Sequence, residues 1–410
     1  FSDGVPDGVE PLAPIVDRFY PGVAECAANG NEVLAFGATL AESGVWRTDG
    51  TAAGTALLLP GLDPYSIATV PVFERFRAEL YFGLPLELDA IPRGATDPSQ
   101  VRTLVSSLST GTLKAAGERL FYGGWEGLEL TDGLTDPIVL LPPPDPPDYQ
   151  ETGDLVAAGE NLFFTVDAPA TGVELWRSDG TPAGSGLVVD LRPGPEGSFP
   201  RRERRELFNQ PWEERIAPLG PDSVVFAADD GVAGTELWAS DGTAAGTVLV
   251  ADLDPGPDGS WPRHLVGADG VAYFAAEHPK LGLELYRTDG TAAGTRMVRD
   301  LVVGPGSSAP EELTLLDGVL YFSAWTPADG RELWRSDGTF QGTWRLTDVA
   351  PGPLSSSPDR ILRRGDRLFF VATDHVHGFE LWARADDGSL PLFIDGFETG
   401  DTSRWSLATP

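Results

Sequence analysis

The chain has 410 residues, of which 41% are hydrophobic, with 11 Trp, 49 Gly and 36 Pro, enough apolar material for a core and enough Gly and Pro for many turns between short elements. Its formal charge of −33 repels phosphate backbones and argues against a nucleic-acid partner, and no apolar run reaches the roughly 18 residues of a membrane-spanning helix. One cysteine, Cys26, leaves no internal disulfide and no cysteine-rich zinc site, and its apolar neighbours place it in the core.

In chain order, the first predicted element is an extended segment over 13–19, Ala13-Pro14-Ile15-Val16-Asp17-Arg18-Phe19. A unit containing Gly44-Val45-Trp46-Arg47-Thr48-Asp49-Gly50-Thr51 comes next. Two eroded copies follow, Leu86-Glu87-Leu88-Asp89 and Leu128-Glu129-Leu130-Thr131-Asp132-Gly133, each after an apolar run, Leu80-Tyr81-Phe82 and Leu120-Phe121-Tyr122. The run Pro142-Pro143-Pro144-Asp145-Pro146-Pro147 is a stiff connection that cannot sit in a central strand. Fuller copies then recur around Trp176, Trp238, Tyr286, Trp334 and Trp382, the last four at a constant step of 48 residues. Between the copies at Trp176 and Trp238 the step is longer, and the extra residues include Arg201-Arg202-Glu203-Arg204-Arg205, a basic segment on an acidic chain.

Internal repetition decides the fold before any other signal. The unit around Trp334 reads as four short strands: 312–316, 319–324, 331–336 and 343–349, divided by Asp317-Gly318, a loop, and Asp337-Gly338-Thr339-Phe340-Gln341-Gly342. Adjacent residues of a strand point to opposite faces, so the apolar pair Leu333-Trp334 requires both faces to be covered. A blade between two neighbours satisfies that. The predicted fold is therefore all-β, a β-propeller of four-stranded blades spanning 1–395 as a single domain, followed by a tail over 396–410. The repeat positions give eight blades, or seven if one eroded unit is not a blade.

The recurring Glu-Leu-Trp and Asp-Gly-Thr residues resemble those of the bacterial ELWxxDGT-repeat proteins, over nearly the whole chain, and the strand order is similar to that of TolB-like propellers. The resemblance implies an exported protein, secreted or held at the cell surface, without an assigned activity. The segment Asp395-Gly396-Phe397-Glu398-Thr399-Gly400 resembles a tail found near the C-terminus of many exported bacterial proteins. A chain beginning at Phe1, with Met297 its single methionine, fits removal of a signal peptide.

Candidate chemistry is sparse. The Asp-Gly-Thr residues are expected to form a turn, since Asp accepts local N–H bonds and Gly supplies positive φ. Asp252, Asp254 and Asp258 are the candidates for calcium, although they lack the alternating spacing of an EF-hand loop; no other cofactor is expected. His375 and His377 would share a face if they lay on a strand and could grip a metal, but no third ligand is placed. No nucleophile elbow, phosphate loop or dinucleotide fingerprint occurs, so the chain is not expected to be an enzyme.

Binding is the leading expectation, with a protein partner or a second copy. The candidates are Arg201, Arg202, Arg204 and Arg205 of the basic insertion, and Trp125, Trp212, Trp261 and Trp325, which lie outside the repeated motif. Both ends carry a fourth-strand pattern, 13–19 and Leu390-Pro391-Leu392-Phe393-Ile394-Asp395, one more than the blades need. Ile15, Val16, Phe393 and Ile394 are thus candidates for strand exchange, and head-to-tail exchange would build filaments. The alternatives are a glycan-binding propeller using exposed aromatics and a hydrolase with its site in the central channel.

Overall fold

The computed structural model describes the strands between 26 and 92, and residues 98–124, 127–132, 137–141, 152–199, 215–364, 367–376 and 379–385. The chain divides into two compact units, Phe1–Gly197 with Arg201–Pro211, and Ser198–Pro200 with Trp212–Pro410. Regular structure in both is almost entirely antiparallel β-sheet. Among the described residues no helix is long and apolar enough to cross a membrane.

The strands form successive meanders, each strand pairing with the next in sequence. One four-stranded sheet holds Cys26–Asn29, Glu32–Ala38, Ser43–Thr48 and Ala56–Pro60, with Cys26 opposite Ala35. Later sheets follow the same plan. The best-formed comprises Glu311–Leu316, Val319–Thr326, Gly330–Ser336 and Trp344–Arg345. Within the second unit the first strands of consecutive sheets, Ile216–Gly220, Arg263–Ala268, Glu311–Leu316 and Asp359–Arg364, contact one another in order. Four-stranded blades stacked in chain order are the architecture of a β-propeller.

Alternation along the third strand sets the packing. Leu333 lies in a cluster with Ile361, Leu368 and Phe370 of the following blade. Trp334, one residue on, lies with Tyr273, Leu285 and Val298 of the preceding blade. Its ring stacks on Phe322 and its Nε1–H donates to the Ala324 carbonyl at 3.2 Å. The motif tryptophans of this unit are therefore core residues, as the period of two required.

Two expectations change. The two eroded repeats are not separate sheets: Arg102–Ala116 runs on from the last strand of one into the first strand of the other, merging both into one seven-stranded sheet. The predicted fourth strand over 343–349 is also shorter: regular pairing covers Trp344–Arg345, and the Leu346 amide still donates to the Leu333 carbonyl at 2.7 Å. Beyond it the amides of Val349 and Ala350 turn inward to the buried Glu332 carboxylate, at 3.1 and 3.2 Å, and leave the ladder. The termini 13–19 and 390–395 lie outside the described residues.

Candidate functional site

In a four-stranded meander the turns between strands one and two and between three and four share one end of the blade. The loops between strands two and three and the connectors to the next blade share the other. In this chain the two ends differ in chemistry.

At the turn end, Asp-Gly-Thr residues form a closed set of local hydrogen bonds. Asp337 Oδ1 accepts from the Thr339 amide and hydroxyl at 2.9 and 2.7 Å. Thr339 Oγ1 accepts from Gly342 N at 2.9 Å, while Thr343 Oγ1 donates to the Thr339 carbonyl at 2.7 Å. That leaves Ser336 to donate to Thr343 Oγ1 and to accept from Gly338 N. The same bonds recur around Asp179, Asp241 and Asp289. Hydrogen bonds from Thr339, Thr291 and Thr181 hold the carboxyls of Asp337, Asp289 and Asp179 below the ordinary value. Gly338, at φ +82, also sits where an added Cβ would come 2.6 Å from Tyr273 Oη of the preceding blade. The turn is structural, as its residues implied.

At the connector end the motif glutamate takes a role that the sequence did not disclose. Glu284 is fully buried. It accepts from Leu301 N at 3.2 Å, Ser308 N at 2.9 Å and Ser308 Oγ at 2.6 Å. The Ser308 carbonyl in turn accepts from Trp325 N, on the next blade, at 2.8 Å. Glu236, Ser260 and Glu277 N repeat this path one blade earlier. A glutamate of one blade thus holds the connector that carries the chain into the next. The glycine before the motif completes the fit: an added Cβ on Gly330 would lie 2.0 Å from the Leu354 carbonyl oxygen.

Burial pushes the Glu236, Glu284 and Glu332 carboxyls above the ordinary glutamate value of 4.5, against the opposing pull of their hydrogen bonds. A carboxyl with a raised folded pKa binds protons more readily in the folded state, so it adds stability below the unfolded pKa and loses it as pH rises through the folded value. The turn aspartates act oppositely, losing their contribution as pH falls below 3.8 through their lowered values. The melting temperature is therefore expected to rise as pH falls towards 4.5 from above and to fall again as it drops below 3.8, with the rise persisting in 1 M salt, where charge repulsion is screened. Calorimetry across that range checks it; a melting temperature that drops steadily from pH 8 downward would contradict it.

The exposed apolar side chains collect at the connector end. Of the nine large hydrophobic residues exposed among the described residues of the second unit, six stand at that end: Val232 (79%), Trp261 (47%), Val303 (88%), Leu354 and Val376 on its loops and connectors, and Trp325 (37%) near the end of a second strand; Val248 and Leu249 lie on a fourth strand and Phe340 at the turn end. Trp261 has φ +50, a left-handed conformation that bulky residues rarely adopt; the equivalent positions are the small residues Ala309 and Ser357, at +45 and +48. Its amide is fixed on the Thr235 carbonyl at 3.0 Å. Trp325 pairs across the ladder with Arg331, whose Nη1 lies 3.2 Å from Glu311 and 2.9 Å from the Ala309 carbonyl.

The other sequence candidates divide clearly. Asp254 belongs to a held connector through its backbone, donating to Glu236 at 3.0 Å, while Asp252 and Asp258 are exposed. Among the described residues no group of three or more His, Cys, Asp and Glu converges as a metal set. His375 Nε2 lies 2.8 Å from the Ser355 carbonyl, which ties its loop to a connector. His377, Trp125, Trp212, Arg201, Arg202, Arg204, Arg205, Ile15, Val16, Phe393 and Ile394 lie outside the described residues.

No family model matches the chain, and no curated protein matches it. Among solved structures it is similar to a puromycin-hydrolysing peptidase of Mycobacterium tuberculosis, at 12% identity and a TM-score of 0.45 over 77% of this chain and 52% of that one. Another is prolyl oligopeptidase B of Galerina marginata, at 12% identity and a TM-score of 0.48 over 87% and 55%. A chain of the nidogen/laminin complex is similar at 12% identity and a TM-score of 0.33, over 75% and 89%. This chain spans about half the length of the two peptidases.

Proposed function

We propose that the protein is an exported β-propeller scaffold that binds protein partners and associates with copies of itself by strand addition. The observation that carries this reading is at the last sheet. Its described strands are Asp359–Arg364, Arg367–Thr373 and Phe379–Ala385, and the last of these holds the place beside which the preceding sheets of the second unit carry a fourth strand. The sequence offers that strand twice, at 13–19 and at 390–395. One copy completes the sheet within the chain; the other is then available to a neighbour, because an unpaired strand and an open edge satisfy each other's backbone groups. Such an arrangement does not close on itself and grows head to tail.

Sedimentation of the full chain and of a chain ending before Leu390 tests this. The full chain is expected to associate as concentration rises, and the shortened chain to stay monomeric. Monomers in both cases, or equal association in both, would overturn the strand-addition reading.

A glycan-binding propeller is the second reading, favoured by the exposure of Trp261 and Trp325 at one end of the blades. A glycan array on which Trp261→Ala and Trp325→Ala leave every signal unchanged would remove it.

A further inference from the structure

The connector end of the second unit combines two properties that point to one kind of partner. Exposed apolar residues stand there on successive blades, Val232 and Trp261, then Val303 and Trp325, then Leu354 and Val376, all on loops or connectors except Trp325, which ends a second strand. They offer separate footholds on consecutive blades, suited to a segment laid across several of them. Around them the exposed carboxylates of Asp252, Asp258, Glu277, Glu311 and Asp348 outnumber the exposed basic groups of Lys280 and Arg360. Arg263, Arg331 and Arg345 are already held by carboxylates of the same end: Glu277 at 3.1 Å, Glu311 at 3.2 Å, and Asp329 and Asp348 at 2.6 and 3.2 Å. Asp252 and Asp258 are exposed on the connector that leads to Trp261.

We infer that this end of the 212–410 unit docks a basic, amphipathic protein segment, with Trp261 and Trp325 as its anchors. The inference rests on the reading of the chain as a protein-binding propeller; it is independent of strand exchange. Three arguments select the occupant. A second copy presented face to face would set the exposed carboxylates of this end, Asp252, Asp258, Glu277 and Asp348, against their own counterparts, which like-charge repulsion opposes. A lysine or arginine side chain suits a partly exposed indole, which attracts cations through its ring face. The backbone of Trp261 is already held before binding by its amide bond to the Thr235 carbonyl, so less backbone entropy is lost on docking.

The test uses the full chain and two labelled probe peptides of equal length, one of leucine and lysine with helical amphipathic spacing and one of leucine and glutamate. Binding of the lysine peptide is expected to weaken about tenfold or more in Trp261→Ala and in Trp325→Ala, the scale of an interface anchor. It is expected to be unchanged in Phe340→Ala, whose side chain lies exposed at the turn end, and the glutamate peptide is expected not to bind. Thermal melts of each variant confirm that the fold is kept. Equal binding of the lysine peptide by all variants would mean diffuse attraction to an acidic surface and would overturn the inference. So would equal weakening by Phe340→Ala, or no binding by the unaltered chain. Self-association of the unaltered chain that Trp261→Ala abolishes would assign the surface to a second copy instead, and would likewise overturn it. Because none of these variants touches 390–395, a failure here is distinguishable from a failure of strand addition.

Discussion

Gly330→Ala is expected to lower the free energy of unfolding by about 2–5 kcal/mol, combining the left-handed strain of a residue with a Cβ and the overpacking of a filled contact. The backbone there has φ +67, and a Cβ would meet the Leu354 carbonyl oxygen at 2.0 Å and its carbon at 2.4 Å. Both obstacles are backbone atoms, so no side chain can swing aside; the connector itself has to move, and with it Ser355 and Ser356. Those residues bond both backbone groups of Arg331, Ser355 Oγ accepting from its N–H at 3.0 Å and Ser356 N donating to its carbonyl at 2.9 Å. Gly318 supplies the control, because it has φ +79 with nothing within 4 Å of its added Cβ. Gly318→Ala carries the strain alone and is expected to cost about 1–2 kcal/mol. Urea titrations of the two variants separate the terms. Equal losses would show that the close approach of strand and connector contributes nothing.

Glu284→Ala is expected to destabilise by about 3–5 kcal/mol, because it strips the acceptor from the buried Ser308 amide and hydroxyl and the half-buried Leu301 amide and leaves a cavity. Removing one partner of a buried hydrogen bond exposes the full desolvation cost of the other, and here one carboxylate serves Leu301 N, Ser308 N and Ser308 Oγ. Glu284→Gln keeps the volume and one acceptor oxygen and removes the buried charge, so its loss is expected to be about 1–2 kcal/mol. Alanine and glutamine variants of equal stability would contradict the role given to the carboxylate. For comparison, Glu311 is half exposed at the same end of the blades and pairs with Arg331, the kind of surface contact whose loss changes stability by about 1 kcal/mol or less.

The difference between these two glutamates explains what the sequence could and could not disclose. Leu333 and Trp334 were legible because strand geometry fixes their faces and both are apolar, so two covered faces followed from adjacent residues. Asp337 and Thr339 were legible because their bonds are local, closing within a few positions of the turn. Glu284 was not: a charged residue in a strand ordinarily faces water, and its partners at Leu301 and Ser308 come from a connector beyond the whole fourth strand. The shortened fourth strand was hidden for the same reason, since Val349 and Ala350 carry a good strand pattern but give their amides to Glu332. The merged sheet through Arg102–Ala116 was hidden because that stretch lacks the Pro-Gly connector that follows the fourth strand of the fuller repeats.

The candidate site was partly legible. Trp261 and Trp325 stood out by failing the repeat, and both prove exposed. Their gathering with Val303 and Leu354 at one end of the blades could not be read, because it depends on which loops share an end. It also depends on the backbone of Trp261, where the pattern Ser-x-Pro gives no hint of a left-handed residue.

Hydrogen exchange of Glu284→Ala tests most directly the claim that the motif glutamate joins one blade to the next. The path runs from Glu284 through Ser308 to the amide of Trp325. Faster exchange is predicted at Leu301 and Ser308 and also at Trp325 on the following blade, while Phe274, inside the mutated blade's own ladder, keeps its protection. Faster exchange confined to Leu301 and Ser308, with Trp325 unchanged, would contradict it.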